Sequence, residues 1–128
     1  MGQIPEYGVT AICESPDSKE LTLNEYQALA LQTAIFSTDK NISYLTLALC
    51  GEVGEVADKV KKVIRDKHGQ FYAPDMAAIA LELGDAMWYI ANIAKFLGYG
   101  LSDIGRLNLE KIQSRIERGT LHGSGDER

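Results

Sequence analysis

Four carboxylates stand in two pairs of the same spacing, Glu52 with Glu55 and Glu82 with Asp85. Three residues along a helix advance roughly 300°, so each pair leaves its helix on one side, with Cβ atoms about 5–6 Å apart. Both pairs interrupt apolar runs, which puts the acids at risk of burial. Four negative charges drawn together there would repel one another and shift toward protonation. A divalent cation resolves the conflict by taking oxygen ligands and supplying positive charge. With no Cys or His at ligand spacing, oxygen-only ligation favours Mg2+ or Mn2+ over Zn2+. A lone Glu-x-x-Glu is usually a solvated helix face; two acidic pairs, each inside an apolar helix, are harder to assign to solvent.

Basic and amide side chains continue the pattern. Lys59 and Lys62 extend the stripe of Glu52 and Glu55. Asn92 lies two turns beyond Asp85, with Tyr89 between, and Asn108, Lys111, Arg115 and Arg118 share one face of a later helix. Cations and amides beside a metal cluster suit a polyphosphate, whose oxygens they neutralise. Ion pairs within a helix, such as Glu55 with Lys59, and a solvated basic face are the structural alternatives. Gly51 and Gly54 each cost about 1 kcal/mol in a helix interior relative to Ala. They would let a ligand or another backbone come close beside the carboxylates, and tight helix packing explains them equally.

The elements that must position these groups are helical throughout. Thr22-Leu23-Asn24-Glu25 reads as a capping box opening a helix that runs to about Ser37. A second helix follows from about Tyr44 to Asp66 or Lys67, capped by Asn41 or Ser43 and stopped by His68-Gly69. Asp75 is expected to cap a third, ending at Gly98, and Ser102 a fourth, to about Arg118. Residues 1–21 read as an irregular arm, 22–118 as the helical core and 119–128 as a flexible Gly- and charge-rich tail. The expected fold is therefore an all-α, four-helix core in a single domain of 128 residues.

Composition narrows the classes further. A formal charge of −5 argues against a general nucleic-acid binder. Cys13 and Cys50 match no metal-ligand spacing and read as two reduced thiols. The start, MGQIPEYG, has no basic segment followed by an apolar one, so no secretory signal is visible. The longest apolar stretch, Met76 to Leu101, carries Glu82 and Asp85, each costing about 2.5–3.5 kcal/mol near a bilayer centre, so no membrane span is expected. The third helix is apolar nearly all round, and such a helix must be covered all round. One chain of four helices cannot cover two long ones, which predicts a homo-oligomer.

GEVGEVADKVKK, then ELGDAMWYIANIA, then NLEKIQSRIERG resemble the MazG-like branch of the all-α nucleoside triphosphate pyrophosphohydrolases. The resemblance spans roughly Asn24 to Arg118 and rests on Glu-x-x-Glu followed by Glu-x-x-Asp, here Glu52, Glu55, Glu82 and Asp85. It implies Mg2+, or Mn2+, held by those four carboxylates, and cleavage of a nucleoside triphosphate to a monophosphate and pyrophosphate by in-line attack of water on the α-phosphorus. Glu52 or Glu55 would accept the proton. Lys59, Lys111, Arg115 and Arg118 would meet the charge on pyrophosphate, while Asn92 and Asn108 orient ligands or phosphate oxygens. Gln27, Gln32, Phe36, Asn41 and Tyr44 stand where the family holds the base, and dGTP or GTP is the expected preference, with dUTP or a modified nucleotide as the alternative. The family also implies a dimer or tetramer working in the cytoplasm of a bacterial or phage-infected cell. The chain departs from the longer family members in being one short domain.

Two rivals come from other classes. A di-iron carboxylate bundle wants Glu-x-x-His on two helices, and neither His68 nor His122 lies three residues after a Glu. A helical interaction module would use the acids to bind metal for stability, without turnover.

Overall fold

Four helices account for most of the described residues, 19–35 and 42–122 of the computed structural model: α1 (Leu23–Gln32), α2 (Ile42–Lys67), α3 (Ala73–Phe96) and α4 (Leu101–Glu117). The all-α expectation holds. The arm up to residue 18, Phe36, Asn41 and the last six residues lie outside the described residues.

Local chemistry sets most of the boundaries. Thr22 Oγ1 accepts the Glu25 N–H at 3.1 Å while the Glu25 carboxylate accepts the Thr22 N–H at 2.9 Å, which is the expected capping box. The helix it opens is shorter than the sequence suggested, ending at Gln32 and not near Ser37. Thr33 Oγ1 donates to the Ala30 carbonyl at 2.7 Å, and such a side-chain bond competes with continued helix. His68 and Gly69 turn left-handed at φ 52° and 76°, closing α2 as predicted, and Gly98 at φ 79° closes α3.

Two caps differ from expectation. Asp75 sits inside the first turn of α3, after Pro74, and its carboxylate reaches back to the Tyr72 N–H at 3.1 Å. Ser102 likewise lies within α4, whose N-cap is Gly100. The first amides of α4 are satisfied from α1: Ser102 N–H donates to Asn24 Oδ1 and Leu101 N–H to Gln27 Oε1, both at 3.0 Å. Gln27 also donates to the Ala91 and Tyr99 carbonyls at 3.1 Å, so this buried amide ties α1, α3 and α4 together.

α2 and α3 form a long antiparallel pair whose register is marked by Lys59–Glu82 and Lys67–Asp75. α1 and α4 pack on α3 and on each other, while the α4 backbone does not closely approach that of α2. Ala30, Ala91, Ala94 and Leu101 form the core cluster, with Tyr26, Trp88 and Ile104 against it. Trp88 belongs to this packing, its Nε1 donating to Thr33 Oγ1 at 2.8 Å. The core is built of small residues, while Leu47 and Leu81 remain 74% and 73% exposed and Val53 and Leu83 more than half exposed. No helix among the described residues is long and apolar enough to cross a membrane.

Candidate active site

The antiparallel pairing of α2 and α3 brings Glu52 of one helix to Glu82 and Asp85 of the other. One carboxylate oxygen from each lies within 4.8 Å of the other two. Glu52 and Glu82 are half-buried and Asp85 is exposed. Burial pushes the Glu52 carboxyl up, and the charges of Asp85, Glu82 and Glu55 push it further. Glu55 is exposed and stands outside the close trio, though near enough for its charge to be felt there. Lys59 meets the trio from α2, its Nζ 3.2 Å from Glu82 Oε1.

Three converging oxygen donors, one of them driven toward protonation by burial and then by its neighbours' charges, fit a hard divalent cation such as Mg2+. The cluster offers no nitrogen or sulfur. Glu52, Glu82 and Asp85 could hold such an ion, with Glu55 one turn along α2.

Toward the start of α2 the cluster is bordered by tyrosines. Burial, a hydrogen bond with Tyr44, and the charges of Glu52 and Asp85 hold the Tyr89 hydroxyl firmly protonated. Burial and Asp85 push the Tyr26 hydroxyl of α1 the same way. Trp88 meets Tyr89 edge-on, with ring centroids 4.9 Å apart.

A family model for the MazG nucleotide pyrophosphohydrolase domain matches residues 40–120. The chain belongs to this family. It is also similar to the gene 37 protein of Mycobacterium phage L5, 44% identical over an alignment of 109 positions that covers 80% of this chain and 96% of the phage protein. No solved structure matches it.

Against the MazG pattern, the remaining sequence candidates fall in different places. Asn92 is completely buried, its Nδ2 donating to the Trp88 carbonyl at 2.9 Å, so it lines the core beneath the cluster and not its surface. Arg115 is buried on α4, whereas Asn108, Lys111 and Arg118 are exposed there. The backbone of α4 packs on α1 and α3, and not on α2. Gln27, a candidate for holding the base, has its amide engaged by backbone on both ends. Among the described residues, a Cβ added at Gly51 or Gly54 would meet nothing within 4 Å, so packing among them does not account for either glycine.

Sequence reasoning gave Tyr26 no part in the site and used Tyr89 only as a spacer. A signal for Tyr89 was present, because it follows Asp85 by four residues and therefore shares its face. Tyr26 comes from a different helix, and only packing shows its approach to Asp85.

Proposed function

We propose that this MazG-family chain hydrolyses a (deoxy)nucleoside triphosphate to the monophosphate and pyrophosphate, with Mg2+ as its ion and Mn2+ as a substitute. The observation that carries the reading is the meeting of Glu52, Glu82 and Asp85 from two helices in a chain of this family. When bound, the ion supplies positive charge and Lewis acidity to the phosphoryl oxygens and the attacking water. Glu52 and Glu55 are the candidates to take the proton released by that water. The raised carboxyl of Glu52 lies nearer the range useful to a general base. Lys59 adds a cation beside Glu82. The tyrosine border offers stacking faces for a base, and a purine, with its larger ring face, is the preferred occupant, dGTP first.

The same reading includes a homo-oligomer, a dimer or tetramer. Leu47, Val53, Leu81 and Leu83 leave α2 and α3 with uncovered apolar faces. Asn108, Lys111 and Arg118, which are exposed, would then serve a substrate where α4 meets a second copy. The proposed setting is the cytoplasm of a bacterial or phage-infected cell, a reading supported by the similarity to a phage protein.

Incubation with each of the eight common NTPs and dNTPs, with Mg2+ or Mn2+, tests the reaction. Monophosphate and pyrophosphate in equal amounts are expected. Orthophosphate and diphosphate without pyrophosphate would reject the bond, and metal-dependent melting without any product would favour the interaction module.

A further inference from the structure

Consecutive residues on a helix point about 100° apart, and by that angle Trp88 and Tyr89 of α3 face two different helices. The Trp88 Nε1 donates to Thr33 Oγ1, 2.8 Å away at the C-terminus of α1. Tyr89 is hydrogen-bonded to Tyr44, in the first turn of α2. The two rings of α3 meet edge to face, with centroids 4.9 Å apart and planes at 84°. Thr33, Trp88, Tyr89 and Tyr44 therefore form one string, from the end of α1 through α3 to the start of α2. Tyr89 is also the member that borders the carboxylates, since the charges of Glu52 and Asp85 reach its hydroxyl.

Trp88 is held more closely than packing alone requires. Thr33 Oγ1 spends its one proton on the Ala30 carbonyl at 2.7 Å, so toward the indole it can only accept. From the other side, Asn92 Nδ2 donates to the Trp88 carbonyl at 2.9 Å from a fully buried position. That amide carries a penalty. Among the described residues its Oδ1 meets no donor, and an unmet buried acceptor is destabilising. A Leu would fill a similar volume without one. What the amide supplies there is the bond to Trp88.

We infer that Trp88 is a positioning residue for nucleoside binding: held by Thr33 and Asn92, it sets the angle of the Tyr89 ring on which the base lies. This rests on the proposed triphosphate cleavage and on a base placed against the tyrosine border. Trp88 does not stack on the base itself. It braces Tyr89 at the ring edge, while Tyr44 fixes the hydroxyl end. A ring held at both ends has little freedom left to lose on binding, so the brace acts on nucleoside affinity and not on the rate of cleavage at the carboxylates.

Thr33→Val keeps the shape of the side chain and removes the oxygen that receives the indole N–H, whereas Thr33→Ser keeps that oxygen. Thr33 is exposed, so neither change threatens the fold. Calorimetric titration of the full chain with each of the four common deoxynucleoside monophosphates reads binding without turnover. Trp88 is the single tryptophan of the chain, so its emission reports on the string directly. In Thr33→Val the tightest of the four ligands should bind about threefold to tenfold more weakly, the span of one neutral hydrogen bond. The emission change on binding should shrink as well. KM for the matching triphosphate should rise by the same factor with kcat unchanged, and Thr33→Ser should restore wild-type values. Wild-type affinity in Thr33→Val, no monophosphate bound by the wild type, an equal fall in kcat, or a loss that Thr33→Ser does not repair would each overturn the assignment. Cleavage by a wild type whose Thr33→Val variant binds monophosphate equally well would remove the brace and leave the reaction standing. A chain that cleaves no triphosphate, yet whose monophosphate binding follows Thr33, would do the reverse.

Discussion

Lys59 Nζ lies 3.2 Å from Glu82 Oε1, across the seam between α2 and α3. The ammonium comes from the helix that carries Glu52 and reaches the helix that carries Asp85. It thus partly offsets a concentration of negative charge that would otherwise push the two helices apart.

Replacing Lys59 by Met should preserve the fold and weaken catalysis. A hydrogen bond to a charged group contributes about 1.5–3 kcal/mol, which corresponds to a loss of about 10–100-fold in kcat/KM. In chelator the variant should melt below the wild type, and the gain in Tm on adding Mg2+ should be larger. Steady-state assays and melting curves at matched ionic strength check both effects.

Glu82→Ala and Asp85→Ala each remove an oxygen donor from the trio. Loss of a residue supporting a metal ligand typically costs 10–100-fold, so direct removal of a ligand should exceed about 100-fold in kcat. The Mg2+-dependent rise in Tm should shrink in both variants. Turnover at the wild-type rate in either would remove these residues from the site.

Stability of the metal-free protein should fall as pH rises above the ordinary Glu value of 4.5, because Glu52 keeps its proton in the folded state after the unfolded chain has lost it. The decline continues through the raised value and then levels off, with the repulsion fully present. Glu52→Gln should flatten this part of the profile. Asp58 acts in the opposite sense at lower pH: Lys61 and Lys62 hold its carboxyl down to about 2, so its support is present above 3.8 and lost as pH falls toward 2. Urea titrations in chelator between pH 2 and 8 separate the two windows.

The paired spacing of the acids was legible because it follows from helix geometry alone. Which member of a pair turns to the neighbouring helix was not. Residues three apart differ by roughly 60° around the axis, and the packing of α2 on α3 decides that Glu52 and not Glu55 joins Glu82 and Asp85. The capping box at Thr22 and the stops at Gly69 and Gly98 could be read from neighbouring residues. The cap of α4 could not, since its acceptors, Asn24 and Gln27, lie more than seventy residues away. Asn92 shared the register of Asp85 yet went into the core, because register names a face without saying what covers it.

Gln27→Ala should be among the most damaging changes outside the cluster. It deprives the Tyr99 carbonyl and the Leu101 N–H of their side-chain partner and removes a second bond from the Ala91 carbonyl. Unsatisfied buried groups cost about 1–3 kcal/mol each, so the loss of stability should reach at least about 2 kcal/mol. The urea midpoint measures it, and a shift below about 0.5 kcal/mol would mean that water replaces these bonds, within the range of ordinary surface changes.

The family match begins at residue 40, after the end of α1. Yet the amides that start the last helix find their acceptors on that first one. Trimming the chain to the stretch the family model matches would keep every carboxylate of the cluster and still strip the final rod of its anchor. The stretch that the family model matches is thus narrower than the unit that folds cooperatively.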